Sequence, residues 1–285
     1  MTFLYFPGCR IPHHLPQYGR SVLALCDVLG ISLEYPEFGC CGWPVRHESY
    51  EASMYSAVRN LAIAEQAGLP VMTPCKCCFG NLKHARAAIH SNESLRTFCA
   101  EKLAREKLPF PESTEVVHLL TVLDRYVGTA AITGNVTHSL DGLKVACHYG
   151  CHALRPAEVT DFDDPLAPTV FERVVAATGA EPVHWDLRLE CCGHPLRGRD
   201  ETISGALMRR KLESVRDSGA HVLATACTYC QLQFDEERIH LPAQDPLLTA
   251  PPALLVTQLL GLATGLGGGD LGLDKNRFLQ TYLSY

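Results

Sequence analysis

The 285-residue sequence has no run of eighteen apolar residues, so nothing in it is expected to span a membrane as a helix. It has no surplus of positive charge: 25 Lys and Arg stand against 31 Asp and Glu, for a net charge of −6. That excludes the basic stripe of a nucleic-acid surface. The opening MTFLYFPGCR lacks the positive start and long apolar core of a signal peptide, and the expectation is a cytoplasmic protein. Apolar residues make up 47% and charged residues 20%, enough for one large domain or two ordinary ones. What the chain has in excess is cysteine, 14 in all. In a reducing compartment such a set binds metal more readily than it forms disulfides.

Ten of the cysteines fall into a repeat. The first half holds Cys9, then Cys40-Cys41-Gly42, then Cys75-x-x-Cys78; the second holds Cys151, then Cys191-Cys192-Gly193, then Cys227-x-x-Cys230. Between Cys41 and Cys75 lie 33 residues, and between Cys192 and Cys227 lie 34; the first gaps differ more, 30 against 39. Each lone cysteine follows a glycine, and each pair is followed by Gly-x-Pro. Adjacent cysteines rarely bridge each other because the ring is strained, so each pair serves something outside itself. Cys26 and Cys99 fit the simpler role of buried thiols acting as small apolar groups.

The secondary-structure signals repeat with the cysteines. TFLYF and LKVACHY read as strands running into Gly-Cys, followed by helical stretches in SVLALCDVLG and PTVFERVVAATG. ISLEYPEF and PVHWDLRLE lead to the cysteine pairs, helices follow around 48–67 and 200–218, and the strands LPVMTP and HVLATA deliver Cys75 and Cys227. This alternation predicts an α/β fold of two pseudo-repeated Rossmann-like halves, each a short parallel sheet with its cysteines at the carboxyl ends of strands, where ligands bind. Residues 128–142, rich in Gly, Thr and Asn, mark the expected boundary between domains 1–142 and 143–285. Gly42 and Gly193 read as positions needing positive φ or close backbone approach.

A structural zinc site or a cubane cluster takes four ligands. Each half offers five, widely spaced, and a fifth thiolate can bridge two irons of an unusual cluster. Zinc with one spare cysteine and a thioredoxin-like dithiol at the CxxC remain alternatives, although the dithiol leaves the paired cysteines unexplained.

The doubled pattern C-x₃₀₋₃₉-CCG-x₃₂₋₃₃-CxxC resembles the cysteine-rich CCG pair in the B subunit of heterodisulfide reductase. So do YFPGC, HYGCHALRP, FDDPLAPTVFERVVAATGAE, ECCGHP and HLLTVL along most of the chain. The resemblance implies two noncubane [4Fe–4S] clusters, the first on Cys9, Cys40, Cys41, Cys75 and Cys78, the second on Cys151, Cys191, Cys192, Cys227 and Cys230. It implies two-electron redox chemistry on a disulfide or thiol substrate, with electrons from a small ferredoxin-like iron–sulfur subunit fed by a flavin-containing subunit. A related complex of sulfur-oxidising bacteria, acting on lipoate-bound sulfur, would suit the same residues. A non-catalytic electron relay or zinc-stapled module is the reading from a different class.

Further residues carry narrower expectations. Cys77 adds a third thiol to PCKCCFG but has no cysteine counterpart in CTYC, and Cys147 in ACHYGCH reads as a core thiol; either could substitute as a ligand. Lys76 reads first as a solvated lysine, with reach toward cluster or substrate charge as the alternative. His148, His152 and His194 lie beside the expected ligands, and His152 and His194 are the candidates for delivering protons to a leaving thiolate, with hydrogen bonding to a cluster sulfur the alternative. His13, His14 and His118 suit helix-face or capping roles. The helix expected in PPALLVTQLLGLATG precedes a glycine-rich tail, 261–276, that reads as a mobile segment or docking surface, and the stretch around 106–115 reads as a surface loop.

Overall fold

Two four-stranded sheets, every strand parallel to its neighbours, organise the computed structural model, which describes residues 1–283. In the first half β1 (Thr2–Tyr5) is followed by α1 (Pro16–Val28), β2 (Ser32–Glu34), α2 (Tyr50–Ala67), β3 (Val71–Thr73), α3 (Lys76–Ser91), α4 (Glu93–Glu106) and β4 (Val116–His118). In the second half come β5 (Lys144–His148), α5 (Val170–Ala176), β6 (Glu181–Val183), α6 (Glu201–Asp217), β7 (Val222–Thr225), β8 (Ala253–Leu255) and α7 (Val256–Ala263). The sheet orders are β2-β1-β3-β4 and β6-β5-β7-β8, the same permutation twice. Leu4 pairs with Val71 in one sheet, and Val145 with Val222 in the other. Parallel sheets covered on both faces need strands without a polar side, and VMT, VVH, VLAT and ALL are buried throughout.

Local chemistry sets the helix ends. Ser49 accepts the Ala52 N–H at 3.2 Å to start α2, Asn92 accepts that of Leu95 at 3.0 Å for α4, and Asp200 accepts that of Ile203 at 2.9 Å for α6. Helix α2 stops at Gly68 with φ 66°, a left-handed cap that glycine adopts without strain.

The fourth strand of each sheet, β4 and β8, goes beyond the pattern in the sequence. The apolar stretch from Pro251 onward is not one helix: it opens with β8, pairing Leu254 with Ala224, before α7 begins at Val256. Three residues of buried chain form a strand too short for periodicity to register.

The glycine-rich tail is anchored to the body at several points, while 267–270 stay exposed. Leu271 is fully buried, Gly272 lies so close that an added Cβ would meet Gln17 Cβ at 2.8 Å, and Arg20 donates to Gly269 O at 2.9 Å. The tail of the second half is thereby strapped to α1 of the first. In the reverse direction, the amides of Thr137 and His138 both donate to Ala263 O at 2.9 Å, so the chain crossing between the sheets is pinned to the second. Ser21 Oγ and Thr257 Oγ1, 2.6 Å apart and buried, close the same seam.

Candidate metal centre

Each half brings its five thiols to the carboxyl edge of its sheet. Cys9 follows the end of β1, Cys75 follows β3, and the Cys40-Cys41 pair rides the long connection from β2 to α2; Cys151, Cys227 and Cys191-Cys192 occupy the matching places. Four glycines allow the crowding. An added Cβ on Gly8 would meet Cys78 Sγ at 2.7 Å, and one on Gly150 would sit 3.7 Å from Cys230 Sγ. Gly42 (φ 86°) and Gly193 (φ 90°) press on the helix after the cysteine pair, where an added Cβ would meet Ser53 O at 2.2 Å and Ser204 O at 2.7 Å.

The sulfurs form one continuous line. Cys9 and Cys40 are 4.0 Å apart, and Cys40, Cys41, Cys78 and Cys75 follow as neighbours that shift one another's thiols in turn. The second half runs Cys151, Cys191, Cys192, Cys230, Cys227 in the same manner. The two lines meet where Cys75 contacts Cys227, and Cys77 stands beside both, the three sulfurs lying within 4.8 Å of one another. The centre of the line is buried, while Cys40 is exposed and Cys9, Cys151 and Cys191 are half-buried.

Within each set the thiols titrate against one another. Cys40 is held well below the usual thiol range by hydrogen bonds from Cys41 and Cys9 and by the Gly42 N–H at 3.4 Å. Cys191 is lowered likewise by Cys151, Cys192 and the Gly193 N–H at 3.4 Å. Their donors shift the opposite way: the thiols of Cys41 and Cys192 are raised by their bonds to Cys40 and Cys191. A set of sulfurs that cannot all shed protons while packed together is suited to a cation that replaces those protons. All-sulfur donors select thiophilic metals and iron–sulfur clusters. The residues present therefore fit an iron–sulfur group in each half.

The halves interlock through the residues that flank the cysteines. Thr228 Oγ1 of the second CxxC lies 3.0 Å from Cys75 Sγ of the first half. Cys77 Sγ of the first CxxC lies 3.0 Å from His152 Nδ1 of the second half. The Arg10 guanidinium stands over Tyr229 at 5.5 Å, and Tyr229 packs on His194 at 4.9 Å. The Trp43 ring meets His152 at 4.2 Å, with Arg46 3.6 Å above it. Gly80 touches the His152 backbone so closely that an added Cβ would sit 2.8 Å from its oxygen. One cavity is lined by Cys9, Cys41, Cys75, Cys78 and Tyr229, a second by Cys151, Cys192, Cys227, Cys230 and His152, and Cys77 borders both.

Lys76 is not solvated. It is 2% exposed, and its Nζ crosses to the second half, donating to His148 O at 3.0 Å and Tyr149 O at 2.8 Å. Its position between two cysteines on the buried first turn of α3 leaves the side chain only the interface to enter, which the sequence does not reveal. His148, not among the proton-carrier candidates, brings Nε2 to 3.2 Å from Cys230 Sγ. His194 is buried, its pKa pushed down to about 4 by burial, and its Nδ1 has no hydrogen-bond partner among the described residues. Burial also lowers His152. Cys147 lies within β5 and Cys26 and Cys99 within helices, all buried and apart from the sulfur line. His118 caps the turn after β4, its Nδ1 accepting the Leu120 N–H at 3.1 Å.

Fold and site together define an α/β protein of two cysteine-rich halves, each gathering five thiols at the carboxyl edge of its sheet. The family model described as "Cysteine-rich domain" (CCG) matches twice, over residues 3–83 and 145–235. The chain belongs to that family and, within it, to the family of heterodisulfide reductase B subunits. It is 34% identical to the 8-methylmenaquinol:fumarate reductase membrane anchor subunit of Wolinella succinogenes, over 96% of each chain. It is 28% identical to the B subunit of the ferredoxin/F(420)H(2)-dependent CoB-CoM heterodisulfide reductase of Methanosarcina acetivorans, over 95% of this chain and 92% of that one. A hypothetical protein from Helicobacter pylori shares the fold at TM-score 0.77 and 17% identity. The match covers 97% of this chain but only 52% of the Helicobacter one, so this chain spans about half of it. No helix among the described residues is long and apolar enough to cross a membrane.

Proposed function

We propose that the chain is the iron–sulfur catalytic subunit of a heterodisulfide reductase-like complex, carrying two noncubane [4Fe–4S] clusters and catalysing reversible thiol/disulfide redox chemistry. The observation that carries this reading is the pair of five-sulfur sets meeting end to end at Cys75 and Cys227. Cys9, Cys40, Cys41, Cys75 and Cys78 would hold one cluster, and Cys151, Cys191, Cys192, Cys227 and Cys230 the other. Each cluster would supply one of the two electrons that disulfide reduction requires.

The chain's own residues would do the rest. The interlock of Thr228, Cys77 and His152 keeps the two sets in register and bars bulk water from the buried centre of the line. Substrate would approach from the exposed ends, between Trp43 with Arg46 and Tyr229 with Arg10. His152, in contact with a thiol at the shared border of the two cavities, would move a proton to or from a departing sulfur, with His194, packed on Tyr229, in support. The relatives' names support assembly with further subunits, here proposed as a ferredoxin-like iron–sulfur protein and a flavin-containing one, in the cytoplasm. We place the domain division at residues 142 and 143.

The Wolinella relative, named as part of a fumarate reductase, favours a second reading in which the same centres only relay electrons. Anaerobic purification with iron, sulfide and zinc analysis tests the first claim: about eight irons per chain support two clusters, and stoichiometric zinc without iron refutes them. Exposure of the oxidised protein to a thiol then separates catalyst from relay. A new paramagnetic signal supports substrate contact, and its absence supports the relay.

A further inference from the structure

The two cysteine sets repeat, but their surroundings do not. Aligned on the cysteines, Lys211 stands where the first half has Asn60, each eighteen residues past the glycine of its CCG, and His148 stands where the first half has Phe6. Lys76 and Thr228 are also counterparts, and each reaches into the opposite half. The charge of Lys76 acts on Cys230 and Cys227, that of Lys211 acts on Cys230 and Cys192, and His148 Nε2 lies 3.2 Å from Cys230 Sγ. The counterparts in the first half carry no charge: the Thr228 hydroxyl lies 3.0 Å from Cys75 Sγ, the Asn60 amide donates to Cys40 O at 3.0 Å, and Phe6 offers no polar side-chain atom.

Both lysines are buried, 2% and 1% exposed, and among the described residues neither has a carboxylate partner. Lys76 meets two carbonyl oxygens and the faces of Tyr149 and Phe171 at 5.4 and 5.1 Å. Lys211 donates to Leu187 O and lies 4.9 Å from the Trp185 ring. The Glu172 carboxylate, which approaches from behind Tyr149, is taken by Arg188 at 2.7 Å and by the Tyr149 hydroxyl at 2.5 Å. A buried charge without a counter-ion is costly. Two of them bracketing one set of sulfurs mark a place built for negative charge. On the first half the cations that act on the sulfurs are Arg10, on Cys9 and Cys40, and Arg46, on Cys41, both outside the buried core, so water screens them.

We propose that the two centres are electrostatically inequivalent, and that Lys76 and Lys211 make the second-half centre the one that accepts an electron first. Reduction adds a negative charge, and a fixed positive charge in a low-dielectric setting stabilises the reduced form more than the oxidised one. The second centre then has the higher potential, and an electron entering the chain settles there. The inference rests on the proposed presence of a cluster in each half. Lys76 and Lys211 are positioning residues, acting through field rather than ligation.

The test is a dithionite redox titration of the anaerobically purified full chain, followed by electron paramagnetic resonance after metal analysis. Cys40→Ser and Cys191→Ser assign the signals to the first and second halves. Two midpoints are expected, the higher lost in Cys191→Ser. Lys76→Met and Lys211→Asn, which installs the first half's own residue, should each lower that same midpoint by a tenfold change in the reduced-to-oxidised ratio or more, 59 mV for one electron. The other midpoint should move less than half as far. Lys76→Arg should retain the wild-type value. If Lys76→Met does not fold, Lys211→Asn alone decides. Iron at full occupancy with coincident midpoints, or lysine variants that move the Cys40-dependent signal instead, overturns this inference and leaves the clusters standing. A chain without iron overturns both.

Discussion

Replacing Gly42 with alanine should unfold the first centre far more than its backbone angle alone explains. Gly68 supplies the control: φ is 66°, against 86° at Gly42, but an added Cβ there meets nothing within 4 Å. Gly68→Ala should therefore cost only the left-handed penalty, about 1 kcal/mol. At Gly42 the new carbon would sit 2.2 Å from Ser53 O and 2.9 Å from Ser53 C, below the 3.0 Å that real Cβ atoms respect. Alanine has no rotamer with which to escape. Either α2 moves, though Ser53 is buried and Ser49 caps the helix, or the loop carrying Cys40 and Cys41 moves and breaks the Gly42 N–H contact to Cys40 Sγ. Overpacking of this kind adds roughly 1–3 kcal/mol, for a total of about 2–4 kcal/mol. Gly193→Ala, with its obstruction at 2.7 Å, should fall between the two. Urea unfolding midpoints of the three variants, with iron per chain measured on each, provide the assay. A Gly42→Ala protein as stable as Gly68→Ala, with iron retained, would falsify the steric argument.

Other outcomes follow from the same geometry. The His118 imidazole is pushed from 6.5 to about 3 by burial and by the Lys76 charge, so it stays neutral in the folded chain while the unfolded chain gains a proton below pH 6.5. Folding therefore loses nothing to this group above pH 6.5 and loses stability as pH falls toward 3, by about 2 kcal/mol between pH 7 and 5. His118→Gln should flatten the pH dependence of the urea midpoint by that amount, and parallel profiles for variant and wild type would count against it. Cys77→Ala should keep the wild-type iron content whereas Cys78→Ala should lose much of the first centre's share; equal losses would make Cys77 a ligand. Leu271→Ala, which empties the space beneath Gly261 where the tail is anchored, should cost about 2–4 kcal/mol in urea unfolding. A loss near zero would mean that the tail contributes little to joining the halves.

The sequence by itself determined the repeat, the α/β class and the grouping of ten cysteines, because each is written in local signals: strand–helix alternation, glycines before and after cysteines, and fixed spacings. Gly42 and Gly193 are legible for the same reason, since few local contexts besides positive φ require glycine next to paired cysteines. For His118 the sequence leaves helix-face and capping roles open, and the structure makes it a cap. The tertiary structure alone decided how the halves meet. No local signal marks Thr228 as the neighbour of Cys75, or His152 as the neighbour of Cys77, because those pairs are made by chain segments 153 and 75 residues apart. Lys76 is the clearest case. A lysine between two cysteines reads as solvated until the second half is packed over it, and then its ammonium must find the His148 and Tyr149 carbonyls. The short strands β4 and β8 and the anchored tail belong to the same class. Three residues carry too little pattern to be read alone, and burial against a distant helix is a property of the assembled chain.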